Sequence, residues 1–220
     1  MTMLFRLFAK CFAGYITLVV ALSLLYLFVP PVSTLMLARW AMLKRVEYVP
    51  VPLVRISPHL VRTVLRAEDS RFCMHHGVDW HSLEQVVEDA ADDGPMRGAS
   101  TLPMQVSKNL FLWPQQSYIR KALEIPMSMA LDALWPKARM LEVYLSIAEW
   151  GQGIYGAEAA AQAYFHKPAS ALNREEAALL AAALPNPRTR NPAHPSSYHV
   201  RYAGILMRGA NEDVNMDCLR

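Results

Sequence analysis

The chain has 220 residues, an apolar fraction of 53% and a formal net charge of +3. This length accommodates one transmembrane segment and one sizeable domain. The charge is too small for a strongly basic nucleic-acid binder, so no nucleic-acid partner is expected, although it suits a surface that faces anionic lipid. The three cysteines show no metal-site spacing, and an odd count is not typical of a disulfide framework, so we interpret all three as structural.

The N-terminal segment predicts one transmembrane helix. No charged residue occurs from Cys11 to Ala38, and about 20 apolar residues suffice to cross a bilayer. Pro30-Pro31 would end the helix, because proline lacks an amide hydrogen and clashes with the preceding turn. A cleaved signal peptide is the alternative, but no convincing cleavage site follows Val29. We therefore divide the chain into an anchor with a short N-terminal tip, a connector and a mostly helical domain, over residues 1–38, 39–59 and 60–220.

The domain is predicted to begin with two helices. The first has apolar residues at helical spacing and ends near two acids, which gives the series Leu60, Val64, Ala67, Glu68 and Asp69. A turn is predicted at Asp92-Asp93-Gly94-Pro95. Ser100 or Thr101 can accept a hydrogen bond from the free amides of the second helix, in whose first turn Pro103 is tolerated and which Trp113-Pro114 ends.

Further helices are predicted towards the C-terminus. One stretch begins near Ser117 and runs to Trp150, with interruptions at Pro126 and Pro136. We expect its buried stripe to consist of Leu134, Leu141, Leu145 and Ala148. Later helices are predicted from Ala157 to Phe165, through Leu184 behind a capping box of Asn173 and Glu176, and from Tyr198 to Arg208. The predicted fold class is mostly α.

Three groups of polar residues are candidates for chemistry. Glu68 and Asp69 lie at the end of an apolar helix, and a carboxyl group beside apolar surface can have its pKa raised, which suits a general acid or base. Two other groups each share one helix face because of their spacing: Gln105, Lys108 and Asn109, then Arg120, Lys121 and Glu124. Two cationic faces joined by a short loop can converge on a pyrophosphate. Taken singly, each group also fits an ordinary solvated surface.

Together these groups resemble the ordered motifs of glycosyltransferase family 51, the peptidoglycan glycosyltransferases. The motifs are Glu68-Asp69-x-x-Phe72-x-x-His75-x-Gly77, then Gly98-Ala99-Ser100-Thr101 with Gln105-x-x-Lys108-Asn109, then Arg120-Lys121-x-x-Glu124. Later segments fit as well: Leu141–Leu145, Gly153–Gly156, Glu158–Ala160, Tyr164-Phe165 and Leu184–Pro187. The resemblance covers about residues 60 to 192 and is to the monofunctional, biosynthetic members of the family.

The resemblance implies a lysozyme-like helical domain on the periplasmic side of the bacterial inner membrane, with the N-terminus in the cytoplasm. Its substrates would be lipid II and the growing glycan strand, joined through β-1,4 links with release of undecaprenyl pyrophosphate. It also implies contact with membrane lipid and with other proteins of cell-wall synthesis and division. No cofactor would be required, although Mg²⁺ or another divalent cation could lie at the pyrophosphate.

The resemblance also assigns roles to single residues. Glu68 would be the general base that takes the proton from the 4-hydroxyl of the acceptor sugar, and Glu124 the second catalytic glutamate, near the departing pyrophosphate. Positive charge there would come from Lys108, Arg120 and Lys121. Ser100, Thr101, Gln105 and Asn109 would help to hold the sugar and phosphate groups. The site of Glu68 would be shaped and supported by Asp69, Phe72 and His75.

Three positions depart from the family's usual residues, and two alternatives stay open. Met104 stands in place of a glutamine, Gln116 in place of an arginine and Ser146 in place of an asparagine. One alternative is a lysozyme-like lytic enzyme, which would not need the cationic faces because its leaving group is an uncharged sugar. The other is an inactive membrane scaffold of the wall-synthesis machinery. Phe111–Trp113 fits either the core or an amphipathic lip that dips into the bilayer.

Overall fold

A computed structural model describes residues 2–91, 100–115, 117–212 and 214–219. Within these residues the chain is mostly α-helical, which confirms the predicted fold class. The predicted turn at 92–95, the motif residues Gly98 and Ala99, and the departure at Gln116 lie outside the described residues.

The described residues form ten α-helices and three β-strands. The helices are α1 (Thr2–Leu25), α2 (Thr34–Ala41), α3 (Pro58–Glu68), α4 (Trp80–Ala91), α5 (Leu102–Phe111), α6 (Tyr118–Leu134), α7 (Lys137–Ile147), α8 (Ala157–Phe165), α9 (Arg174–Ala183) and α10 (Ser197–Glu212). The strands are β1 (Glu47–Tyr48), β2 (Glu149–Gly151) and β3 (Ile154–Tyr155). They form one small sheet in the order β1-β3-β2, in which β1 runs parallel and β2 antiparallel to β3. Short 3-10 helices occur at Leu53–Arg55, Ala169–Ala171 and Asp217–Leu219.

Helix α1 is the N-terminal apolar helix that the sequence predicts. Among the described residues, its segment Phe5–Leu25 is long and apolar enough to cross a membrane, with a mean hydropathy of 1.9. The helix ends at Leu25, before Pro30-Pro31. Near its end the helix touches the domain, because the indole of Trp135 donates a hydrogen bond to the carbonyl oxygen of Ser23 at 2.9 Å.

The core of the domain forms where α3, α9 and α10 pack together and where α5 packs on α6 and α7. The inward faces of α3 and α7 carry large side chains, whereas α9 presents fully buried alanines such as Ala177 and Ala181. Because the distance between packed helices depends on the side chains at their contact, these alanines let α3 and α10 approach α9 closely. This packing holds the C-terminal end of α3 in place.

Side-chain caps begin three of the helices, and the sequence predicts two of them, at Thr101 and Asn173. The Thr101 hydroxyl accepts a hydrogen bond from the Met104 amide, and the Ser117 hydroxyl accepts one from the Arg120 amide. Asn173 caps α9 through a complete capping box with Glu176. Each such cap contributes about 1 kcal/mol, because it satisfies amides that the helix itself leaves free.

Three predictions about the stretch from Ser117 to Trp150 are wrong. Pro126 does not interrupt α6: it lies on the exposed face, where the carbonyl that its missing amide leaves free can bond water. Leu134 is 40% exposed and does not belong to the buried stripe, whereas the other three residues of that stripe are buried. Helix α7 ends at Ile147, because Ala148 is extended and strand β2 pairs with β3 from Glu149 onward.

Elements of the structure cross the boundaries of the predicted division into three segments. Helix α2 spans residue 38 and places the fully buried Met36 in the core of the domain. Strand β1 lies within the predicted connector and pairs with β3, with Glu47 opposite Ile154. The segment before the domain is thus packed into it, whereas the division itself stays a prediction.

The structure contains a disulfide that the sequence analysis did not anticipate. Cys73 and Cys218 are bonded, with their Cα atoms 5.5 Å apart, and Cys11 is a free thiol in α1. The odd cysteine count did not indicate this pair. One cysteine lies in the apolar helix, and only the other two lie in the domain and pair with each other.

Candidate active site

Glu68 is the last residue of α3, and its carboxylate is held by a side chain from α5. Its Oε2 accepts a hydrogen bond of 2.8 Å from Nε2 of Gln105. Burial raises the pKa of the Glu68 carboxyl; the Gln105 hydrogen bond and the Lys108 charge oppose that effect, and the Asp69 carboxylate adds to it. A carboxylate with a raised pKa is a stronger base than an ordinary glutamate, which suits the removal of a proton from a hydroxyl group.

The residues that follow Glu68 form a buried support. The Asp69 carboxylate accepts a hydrogen bond of 2.9 Å from the amide of Leu102, and its Oδ1 lies 2.9 Å from Nε2 of His75. The Phe72 ring is 1% exposed and stands edge-on to the His75 ring at 6.3 Å. The structure therefore brings Asp69, Phe72 and His75 together in the loop that directly follows Glu68.

This loop packs tightly on α6 and α5. Gly77 has a φ of +84°, and a Cβ at that position would lie 2.7 Å from Cα of Met129, so a side chain does not fit there. The hydroxyl of Thr101 donates a hydrogen bond of 2.6 Å to the carbonyl oxygen of Gly77. Thr101 thus joins the loop to the start of α5 and also caps that helix.

Helix α5 carries the first of the two predicted polar faces. Gln105, Lys108 and Asn109 are each partly buried, and Gln105 and Lys108 reach the surroundings of Glu68. Burial lowers the pKa of the Lys108 ammonium; the Arg120 charge lowers it further, whereas the Glu68 carboxylate opposes this. Lys108 therefore lies between the carboxylate of α3 and the cations of α6. The backbone carbonyl of Asn109 accepts a hydrogen bond from the Thr34 hydroxyl of α2.

The second polar face, on α6, is organised around a buried carboxylate. Glu124 is 2% exposed and forms ion pairs with Arg120 and with Lys121, whose Nζ lies 3.3 Å from Oε2. Nε of Arg120 also donates to the carbonyl oxygen of Gln115 at 2.8 Å. Burial lowers the pKa of the Lys121 ammonium, and the charges of Arg120 and Lys108 act in the same direction. Glu124 thus fixes two cations that repel each other.

A cavity and a hydrogen bond connect the two halves of the site. Glu68, Asp69, Ser100 and Thr101 line one cavity of about 160 Å³. The hydroxyl of Ser100 accepts a hydrogen bond of 2.8 Å from Nζ of Lys121. A base on one side and a cationic cluster on the other is the arrangement that is needed to activate a hydroxyl and to stabilise a departing phosphate.

Two of the three departures from the family pattern have side chains that do not bond either glutamate of the site. Met104 is 3% exposed and packs in the interior of the domain. The hydroxyl of Ser146 donates to the carbonyl oxygen of Glu142 one turn earlier in α7, and the residue is buried. Neither residue joins the hydrogen bonds of Glu68 or Glu124.

Two residues of the site were missed by the sequence analysis. The buried Tyr144 hydroxyl lies 3.5 Å from Oε1 of Gln105, and burial, followed by the Glu68 and Asp69 carboxylates, raises the pKa of its phenol, so that it stays a donor. Nζ of Lys137 donates to the carbonyl oxygen of His75 at 2.7 Å and lies 4.6 Å from the Phe72 ring centroid. Both belong to α7, where an apolar stripe gave no polar signal.

The sequence left open whether the segment Phe111–Trp113 lies in the core or forms an exposed apolar lip, and the structure shows part of it in each environment. Leu112 is 4% exposed and packs inside, whereas Trp113 is 39% exposed. Next to it, Tyr118 and Ile119 of α6 are 97% and 71% exposed. Helix α1 runs beside this apolar surface, because the hydroxyl of Tyr15 donates to the carbonyl oxygen of Phe111 at 3.0 Å.

Comparison with known proteins agrees with this geometry. Residues 35–208 match the model of a family described as "Transglycosylase". A protein of Brucella suis biovar 1 (strain 1330), named biosynthetic peptidoglycan transglycosylase, is 54% identical over 81% of this chain and 80% of its own length. Proteins of the same name from Agrobacterium fabrum and Rhodospirillum centenum are each 50% identical, over 88% and 93% of this chain and 89% and 90% of their own lengths.

Proposed function

Because the chain belongs to the transglycosylase family, we propose that it polymerises lipid II into glycan strands of peptidoglycan. The reaction is an inverting glycosyl transfer that forms β-1,4 links and releases undecaprenyl pyrophosphate. The single observation that carries this proposal is that the Glu68 carboxylate, whose pKa is raised by burial, lies close enough to Lys108 to feel its charge, and that Lys108 in turn lies close to Arg120 and Lys121, the other members of a cationic cluster. A hydrolase that releases an uncharged sugar has no use for that cluster.

In this proposal Glu68 is the general base. It removes the proton from the 4-hydroxyl of the acceptor's N-acetylglucosamine while that oxygen attacks C1 of the donor's N-acetylmuramic acid. The bond from C1 to the pyrophosphate oxygen breaks on the opposite face, so that the configuration inverts, and the electron pair leaves with the pyrophosphate. The hydrogen bond from Gln105 fixes the direction of the carboxylate.

The cationic cluster stabilises the leaving group. Negative charge grows on the pyrophosphate as the bond breaks, and fixed cations in a partly dry site lower the energy of that state more than they tighten ground-state binding. Glu124 contributes by holding Arg120 and Lys121 in position. Ser100 and Thr101 line the same cavity as Glu68, and with Asn109 of α5 they complete the set that would hold the sugar and phosphate groups.

We propose no metal cage of protein side chains at the pyrophosphate. No group of three His, Cys, Asp or Glu side chains suited to a metal ion occurs among the residues that the structure describes. A divalent ion such as Mg²⁺ would therefore be held mainly by the phosphate oxygens themselves. Titration of activity with Mg²⁺ and with a chelator tests this point.

The N-terminal helix is proposed to be a permanent anchor in the inner membrane. The C-terminal end of this helix is hydrogen-bonded to the domain. Trp135 bonds the carbonyl oxygen of Ser23, and Nε of Arg139 donates to the carbonyl oxygen of Tyr26 at 2.9 Å. A cleaved signal peptide would not need such contacts. The exposed Trp113, Tyr118 and Ile119 lie on the same side as α1 and suit the lipid–water interface.

The disulfide supports a periplasmic location for the domain, with the N-terminus in the cytoplasm. Structural disulfides persist in oxidising compartments such as the bacterial periplasm and are rare in the cytosol. Cys73 and Cys218 lie in the domain, and the free Cys11 lies in the membrane helix. Other proteins of cell-wall synthesis and division remain proposed partners.

Incubation of the purified full-length protein with labelled lipid II in detergent tests the function. Polymer together with released undecaprenyl pyrophosphate supports it. Cleavage of preformed glycan strands, without polymerisation, would identify a lytic enzyme. A folded protein that does neither would be a scaffold. The Glu68→Gln variant serves as the matched inactive control.

A further inference from the structure

The disulfide joins the loop of the proposed base to the end of the chain. Cys73 directly follows Phe72 in the loop between α3 and α4, and Cys218 lies in the last 3-10 helix, Asp217–Leu219. The two cysteines are 145 residues apart in the sequence. Cys218 lies beyond residue 208, where the match to the family model ends.

On the loop side, the bond attaches next to residues that support Glu68. Phe72 packs on His75, and His75 contacts the Asp69 carboxylate, which also accepts the Leu102 amide at the start of α5. A displacement of Phe72 would therefore move Asp69, which is adjacent to Glu68. It would also move α5 and with it Gln105, the residue that orients Glu68. Met74, the next residue after Cys73, is 63% exposed, so the disulfide is attached at an exposed point of the loop, beside the buried Phe72.

On the tail side, the last residues rest against the rigid part of the domain. Met216 and Leu219 line an apolar cavity of about 390 Å³ together with Leu53 and other residues before α3 and with residues at the start of α3. The 3-10 helix also packs on α7. The amide of Leu53 donates to Oε2 of Glu142 on α7 at 2.7 Å, so the wall of this cavity is itself fixed. The tail therefore provides a firm attachment for the loop.

We propose that Cys73 and Cys218 are positioning residues for the glycosyl transfer: the C-terminal tail, through their disulfide, holds the loop that keeps Glu68 in its reactive position. This inference rests on the proposed function, since it assigns the loop to that reaction. Neither cysteine contacts the reacting atoms. Small displacements of a catalytic group lower the rate far more than they lower binding, because the reacting geometry is strict.

The bond also requires a reaction that forms it. When the disulfide forms, the two thiols lose two protons and two electrons. A second disulfide, the oxidant, accepts them in thiol–disulfide exchange and is reduced to a dithiol. Cys11 is the third cysteine of the chain and lies in α1, so the two cysteines of the domain have no competing partner within it. A thiol–disulfide exchange step must therefore precede full activity.

The experiment uses the full-length protein, purified in detergent without reductant. Thiols are counted by alkylation and mass spectrometry, and lipid II polymerisation is measured before reduction, after reduction with a phosphine, and after reoxidation. We expect one free thiol before reduction and three after it. We expect kcat to fall about tenfold on reduction, within the range that small misplacement produces, with KM little changed, and to recover on reoxidation. Circular dichroism at the assay temperature monitors the fold.

Variants separate positioning from folding. Cys73→Ser and Cys218→Ser should each show the lower kcat and no response to reductant. Cys11→Ser should match the unaltered protein in kcat at every step, with no free thiol before reduction and two after it. Three free thiols before reduction, an unchanged kcat after reduction, or a loss of kcat that follows the loss of helical signal would each overturn the proposal. An oxidised protein that does not polymerise lipid II would overturn the proposed function as well, whereas equal activity in both redox states would overturn only the positioning role.

Discussion

Replacement of Glu68 by glutamine tests the central assignment, because it removes the base and little else. The amide is nearly isosteric with the carboxyl, and its oxygen can still accept the hydrogen bond from Gln105. It cannot accept a proton at the pH of the assay. Loss of a general base typically lowers the rate by about 10²–10⁴, which corresponds to about 2.7–5.5 kcal/mol in activation free energy.

The same replacement should not reduce stability. Burial raises the pKa of Glu68 above its reference value of 4.5, so the ionised form is less favourable in the folded chain than in the unfolded chain. Above pH 4.5 this difference opposes folding, and a neutral amide does not carry it. We therefore expect the Tm of Glu68→Gln at pH 7 to equal or exceed that of the unaltered protein, while kcat falls.

The assay combines initial rates of lipid II polymerisation with thermal unfolding. Glu158→Gln is the matched control, since Glu158 accepts hydrogen bonds from the Ala169 amide and from Gln162 but is not among the residues of the site. The control should retain its turnover. If a folded Glu68→Gln protein polymerised lipid II within about tenfold of the normal rate, below the loss expected for a general base, the role of Glu68 as base would be refuted.

Three further predictions follow from the site and the fold. Lys108→Ala should lower kcat more than it raises KM in steady-state kinetics with lipid II, because its charge acts on the leaving group; an effect on KM alone would place the pyrophosphate elsewhere. Gln105→Leu removes the donor that opposes the rise of the Glu68 pKa, so the acid limb of the pH profile of kcat/KM should move to higher pH, since activity is lost as the pH falls through that pKa; an unmoved limb would contradict the contact. Asn173→Ala should lower the free energy of unfolding in urea by about 1 kcal/mol through loss of the capping box, with no change in kcat, and an unchanged midpoint would show that the cap contributes nothing.

The sequence supplied the candidate residues of the site, whose roles stay predictions, but not all of the side chains that contact them. Glu68 became a candidate because it lies at the end of an apolar helix, and the two polar faces because i, i+3 and i+4 positions share a helix face. The resemblance then joined them into one site. Tyr144 and Lys137 were missed, since their roles depend on residues of α5 and of the loop after α3 that are far from them in the sequence.

What the sequence by itself determined was local. The caps at Thr101 and Asn173, the apolar periodicity of α3 and the apolar segment of α1 all act between residues a few positions apart, so a short window contains their cause. Predictions that rested on a local rule alone were wrong at Pro126 and at the end of α7. Pro126 lies within α6 because its exposed face tolerates the lost hydrogen bond, and α7 ends early because a strand pairs with β3.

What only the tertiary structure decided was which distant residues meet. It packed Met36 of the N-terminal segment into the core, paired β1 with β3, and connected Glu68 to the cations of α6 through Ser100 and Lys121. It also brought Cys73 to Cys218 across 145 residues. Contacts of this kind arise from the packing of helices that must bury their apolar faces together, and no short stretch of the chain contains that information.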